Sequence, residues 1–114
     1  MTAKAWTVTT REGSNVEREH FEALDDALDA LGRRLVALEP GASREEVVII
    51  GRRIEPARQV VARVEIAGPR RTRGGVDLRG DGSTEAFTGR LRRAVIERRG
   101  GESAADALRR ALAT

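Results

Sequence analysis

Gln59-Val-Val-Ala-Arg-Val-Glu-Ile-Ala67, Gly75-Val-Asp-Leu-Arg79 and Ser83-Thr-Glu-Ala-Phe-Thr88, the last running on through Leu91 to Ile96, are the segments on which the fold of this chain turns. Apolar and polar residues alternate along each, and glycines stand between them, the pattern of an antiparallel meander with one buried face. In the first segment Val60, Ala62, Val64 and Ile66 share one face, and Val61, Arg63 and Glu65 the other. Gly68-Pro-Arg-Arg-Thr-Arg-Gly-Gly75 follows as a basic loop. Asp81-Gly82 is a favoured pair for a two-residue type I′ hairpin turn. Such a turn sets Val76 opposite Phe87 and Leu78 opposite Glu85.

Upstream, Trp6 and Val8 alternate with threonines, predicting a strand over 5–10, and Arg11-Glu-Gly-Ser14 makes a turn. Asn15 to Phe21 is expected to return as a second strand, with a helix from Val16 as the alternative. Leu24, Ala27, Leu28, Leu31, Leu35 and Leu38 recur every three or four residues, one stripe of an amphipathic helix ended by Glu39-Pro-Gly41. Asp29 and Arg33 stand four apart as an ion pair, and Gly32 within the helix marks a close approach to the sheet. Ser43-Arg-Glu-Glu46 resembles a capping box, whereas the β-branched run Val47-Val-Ile-Ile50 favours a short buried strand. We expect the strand, with Gly51 to Pro56 as a link. Ser103, with Asp106 three residues on, caps a closing helix whose apolar face is Ala104, Ala107, Leu108, Ala111 and Leu112.

Residues 1–114 therefore predict one α+β domain, an antiparallel sheet of five to six strands with two helices packed on one face. No apolar run nears the ~20 residues of a spanning helix. Met1-Thr-Ala-Lys-Ala-Trp6 has no apolar signal core, so the expected location is cytoplasmic and no membrane partner is expected.

Charge is distributed unevenly. Residues 1–50 hold six Lys/Arg and ten Asp/Glu, a net of −4; residues 51–114 hold fifteen Arg and eight Asp/Glu, a net of +7. The two sum to the +3 of the whole chain. Lys4 is the only lysine, a bias that a GC-rich genome also produces.

Chemistry-bearing sets are scarce. The chain has no cysteine, no tyrosine and one histidine, His20, with no nucleophile–base spacing around it. Asp25 and Asp26 are adjacent on a helix and diverge. Asp77, Asp81 and Glu85 lack the spacing of a calcium loop, and Gly74-Gly75 does not open a phosphate loop. The expectation is a non-enzymatic protein with no catalytic residues, cofactor or metal.

The arginines remain. Arg70, Arg71 and Arg73 lie on the basic loop, and Arg90, Arg92 and Arg93 follow the last hairpin. Converging, these six form a candidate nucleic-acid-binding patch, since guanidinium forks match phosphate oxygens. The alternative is a solvated or interface face in a protein-interaction module acting as a homodimer, with no nucleic-acid role.

The order strand–α–β–β–β–α resembles that of ribosome hibernation factors and, without its first strand, that of double-stranded-RNA-binding domains. The hairpin at Asp81-Gly82, a further strand and Gly101-Glu-Ser-Ala-Ala-Asp-Ala-Leu108 are similar to the hairpin-and-helix of HicB-type antitoxins, over about a third of the chain. These likenesses concern fold, which does not carry function, and no residue role is transferred.

Overall fold

A computed structural model describes residues 4–39, 59–89 and 92–113 in full and the backbone of 47–49 and 52–54. Its eight strands are β1 (Trp6–Glu12), β2 (Asn15–Phe21), β3 (Val47–Ile49), β4 (Arg52–Ile54), β5 (Val60–Ala67), β6 (Arg73–Arg79), β7 (Thr84–Thr88) and β8 (Ala94–Ile96); the helices are α1 (Leu24–Leu38) and α2 (Ala104–Leu112). Six strands form one antiparallel sheet in the order β2-β1-β5-β6-β7-β8, and β3 and β4 form a separate two-stranded ribbon. The fold is α+β with an open antiparallel sheet.

Alternation sorts the sheet into two faces. Val8, Val64, Ile66, Val76 and Ala86 are buried in one cluster with Ala27, Leu28, Leu31 and Leu35 of α1 and Ala104, Ala107 and Leu108 of α2. Both helices therefore cover the same face, as expected. Arg109 of α2 donates to Asp25 Oδ1 at 2.8 Å and Asp29 Oδ1 at 2.7 Å, tying the helices together. The acidic start of α1 is thus neutralised by the basic half of the chain. Asp29 takes this partner rather than Arg33, and Arg34 reaches Glu17 and Glu19 on β2. Both pairs are tertiary, which overrides the local i,i+4 expectation. Gly32 has nothing within 4 Å of where a Cβ would stand, so it marks an open groove and not a close approach to the sheet.

The closing helix begins as the sequence predicts. Ser103 Oγ accepts from the Asp106 N–H at 3.0 Å, and Asp106 Oδ2 accepts from the Ser103 N–H at 3.3 Å.

Three local expectations change. The β6–β7 register is shifted by one residue: Val76 faces Ala86, Asp77 faces Glu85, Leu78 faces Thr84, and Gly75 faces Phe87. The Arg79 N–H donates to Ser83 O and the Gly82 N–H to Arg79 O, each at 2.9 Å, while only Gly82 in the loop has positive φ, at 85°. This is a three-residue loop, a type I turn followed by a left-handed glycine, and not the type I′ turn. Burial explains the choice, because a one-residue slip flips every side chain to the other face. The observed register puts small Ala86 on the helix side opposite Val76 and lays Phe87 over Gly75 on the other face. At Val60 an irregularity between Val60 and Ala62 takes that side chain out of the apolar row and leaves it 45% exposed. Lastly, Arg52–Ile54 is a strand paired to Val47–Ile49, where a link was expected. The capping-box residues 43–46 lie outside the described residues, as do the side chains of 47–50.

Candidate phosphate-binding surface

The face of the sheet opposite the helices is open, and its two halves differ in charge. Toward the β6–β7 turn it is a lattice of ion pairs. Arg63 lies directly opposite Asp77 and holds both its carboxylate oxygens, Nε to Oδ1 at 2.5 Å and Nη2 to Oδ2 at 3.3 Å. The hydrogen bond to Asp77 raises the pKa of the Arg63 guanidinium, against the opposing effect of burial. Arg11 Nε donates to Glu65 Oε1 at 2.9 Å and Arg79 Nη2 to Glu85 Oε1 at 2.8 Å. Among the described residues, Arg11, Arg63 and Arg79 in this half each have a carboxylate.

Phe87 belongs to the same face. Its ring lies across Gly75, where a Cβ would come within 2.8 Å of Phe87 Cζ and 2.7 Å of Val64 O. The Arg63 and Arg93 guanidiniums stand 5.7 and 4.4 Å from the ring centroid. With this cover Phe87 is only 4% exposed, so it offers no free platform for base stacking.

The other half, toward the β5–β6 turn, is different. Pro69–Thr72 is a tight turn, closed by the Thr72 N–H donating to Pro69 O at 3.1 Å, in which Arg70 (φ 57°) and Arg71 (φ 59°) are both left-handed and exposed. Two consecutive arginines in this region carry real backbone strain, of order 1 kcal/mol or more each. The Gly68 N–H closes the turn on Thr72 O at 2.9 Å. Gly68 lies against the Trp6 ring, which a Cβ would meet at 2.2 Å, so this position requires glycine.

The β7–β8 turn lies beside it. Gly89, at φ 89°, breaks the run that the sequence carries from Thr88 to Ile96 and turns the chain back into β8. Its N–H donates to Arg73 O at 2.9 Å, which joins the two turns directly. Arg70, Arg71 and Arg73 thus come to the same end of the sheet as Arg92 and Arg93, all five exposed. Arg90 lies outside the described residues.

Among the described residues no carboxylate approaches these five guanidiniums within ion-pair distance. Among the described residues, Arg93 has the Phe87 ring as its partner. By contrast, Arg110 on α2 is paired, and with the Arg99 backbone N–H it lowers the Glu102 pKa to about 2.

Beside the turns the open face is dished into a cavity of about 300 Å³, lined by Thr7, Thr9, Arg11, Arg18, Glu65 and Arg73. Short side chains make the floor: Thr7 faces Ala67 across β1 and β5, and Thr9 faces Glu65. Long ones make the walls, with Arg18 on β2 opposite Thr9 and Arg73 on β6 opposite Ala67. Thr7 Oγ1 lies 3.1 Å from Nδ1 of His20, an exposed residue.

Of these residues the sequence pattern singles out Arg73 alone. The alternation of the first hairpin already puts Thr7, Thr9 and Arg11 on one face, but their meeting with Arg73 depends on β1 pairing with β5, a long-range contact with no local signature. On the helix side a larger groove of about 680 Å³ runs between α1 and α2, lined in part by Leu28, Gly32, Leu35, Val36 and Ala105. No cluster able to hold a metal ion occurs among the described residues, and none of their helices is long and apolar enough to cross a membrane.

Comparison with protein-family models, curated proteins and solved structures returns no match.

Proposed function

We propose that this chain is a small non-enzymatic binding protein of the cytoplasm that contacts nucleic-acid phosphates through Arg70, Arg71, Arg73, Arg92 and Arg93, together with Arg90. One observation carries the reading. Arg11, Arg63 and Arg79 on the open face are matched to carboxylates, whereas the arginines at the two joined turns are exposed and have none within reach among the described residues. Such guanidiniums, on two turns held by the Gly89–Arg73 hydrogen bond, form a cationic edge suited to a phosphate backbone. With Phe87 covered, the contact is to phosphates and is insensitive to sequence.

The test is a titration of nuclease-treated protein against duplex and single-stranded DNA and RNA at 50 and 200 mM salt. Four to five phosphate contacts give a loss of about 100- to 500-fold in duplex affinity over that interval. Replacing Arg70, Arg71 and Arg73 by glutamine should reduce the log–log salt slope by about 0.9 for each phosphate no longer neutralised. Absence of binding at 50 mM salt overturns the reading.

A second reading, a homodimer, is favoured by Val36, which is 66% exposed beside the α1–α2 groove. A concentration-dependent mass in solution that Val36→Glu abolishes would support it.

A further inference from the structure

The dished half of the open face has a chemistry of its own. Arg11, Arg18 and Arg73 line it against a single carboxylate, Glu65, leaving an excess of two positive charges. Arg11 reaches Glu65 through Nε, so its outer Nη edge is uncommitted in that bond. Thr7 and Thr9 supply hydroxyls on the floor, and small Ala67 lets a ligand come down onto the sheet.

We infer that this concavity seats one phosphomonoester, the dianionic phosphate of a nucleotide or of a strand terminus, with Arg18 and Arg73 as its walls and the Thr7 and Thr9 hydroxyls as its floor. The inference rests on the phosphate-contact reading in that the two surfaces share Arg73. Three properties select the monoester over an internal diester. A phosphomonoester carries about −1.5 to −2 at neutral pH, matching the local excess. An internal phosphodiester carries a single charge and must let the chain leave on both sides, yet Arg18 and Arg73 close two opposite sides of the dish. The volume of about 300 Å³ sits at the lower end of small-ligand sites, enough for a phosphate and part of the sugar that bears it. Gly89, at one margin, belongs to the turn that carries Arg92 and Arg93, so a strand seated by its end continues along the cationic edge.

The experiment compares one single-stranded oligonucleotide with a 5′-phosphate, a 3′-phosphate or hydroxyls at both ends, alongside adenosine 5′-monophosphate and inorganic phosphate. A seat with two charge-assisted contacts predicts that one phosphorylated end binds about tenfold tighter or more than the hydroxyl-ended strand. Arg18→Gln should abolish that preference while leaving the salt slope of the hydroxyl-ended strand unchanged. Arg70→Gln with Arg71→Gln should do the reverse. Arg18 is exposed on an edge strand with no ion pair among the described residues, so its replacement leaves the fold intact.

If the nucleoside monophosphate binds in an Arg18-dependent way and no strand does, the seat stands with a free nucleotide as its ligand and the nucleic-acid reading fails. If all three strands bind equally and neither small phosphate binds at millimolar concentration, the seat is refuted and the nucleic-acid reading survives. An end preference that persists in Arg18→Gln also refutes it.

Discussion

Replacing Asp77 by alanine removes the carboxylate that Arg63 holds directly among the described residues. Asp77 is buried although it lies on the open face: its side chain is 11% exposed and that of Arg63 is 27%. Breaking a fully buried pair leaves an uncompensated charge and costs about 3–5 kcal/mol, whereas an exposed pair contributes about 0.2–1 kcal/mol. This pair lies between the limits, because Arg63 can swing toward water once released. Two hydrogen bonds to one carboxylate and the loss of the Arg63 cover over Phe87 place the cost at about 2 kcal/mol. For a chain of this length that is a fall of about 8 °C in melting temperature. Urea unfolding measures it directly, as a lower midpoint with unchanged slope. Replacing both partners with apolar residues of similar size, Arg63→Met with Asp77→Leu, should recover most of the loss, since neither leaves a stranded charge. A destabilisation by Asp77→Ala below about 0.5 kcal/mol, or a double variant as unstable as the sum of its singles, would refute the reasoning.

Three further outcomes are expected. Ser103→Ala removes the acceptor of the α2 capping box and should cost about 1 kcal/mol, with faster amide exchange in the first turn of α2. Glu102 has its folded-state pKa depressed from 4.5 to about 2 by the Arg110 side chain and the Arg99 N–H. Its stabilisation is therefore complete above pH 4.5 and lost as pH falls toward 2, and Glu102→Gln should flatten that part of the acid-unfolding profile. Arg70→Gly with Arg71→Gly relieves two left-handed residues at some cost in chain entropy, so stability by urea unfolding should hold or rise by about 1 kcal/mol while nucleic-acid affinity falls.

The parts of the fold legible in the sequence are those set by local physics. The leucine spacing of α1, the Ser103–Asp106 cap and the alternation of β5 act within a few residues, and each forms as expected. Asp81-Gly82 announces a turn but does not choose its type, because the preceding Gly80 gives the chain room for a longer loop. The packing of β7 makes that choice, with Ala86 toward the helices and Phe87 over Gly75. Gly32 shows the converse: a glycine in a helix suggests close packing, yet here it borders an open groove. At the candidate site, Arg70, Arg71, Arg73, Arg92 and Arg93 are visible as clusters because they are near in sequence. Arg18 and Thr7 are not, since they reach Arg73 only through the placement of β1 beside β5. Charge behaves similarly. The acidic first half and basic second half are plain in the sequence, but not that Arg109 is engaged by Asp25 and Asp29 while Arg73 has no carboxylate among the described residues.

The placement of β1 also sets how the chain reaches its fold. The sheet consists of a hairpin, β1 with β2, and a meander, β5 to β8, each built from near neighbours. One seam joins them, where Thr7 must find Ala67 and Glu12 must find Ala62. Local hairpins close quickly, but a pairing across β2, all of α1 and the segment after it is a slow search. Substitutions that weaken the seam, such as Ile66→Val, should slow refolding, whereas changes at β7 and β8 should mainly speed unfolding. The same geometry makes the connection between α1 and β5 tolerant of insertions: doubling its length adds only about 0.6 kcal/mol to the closure entropy.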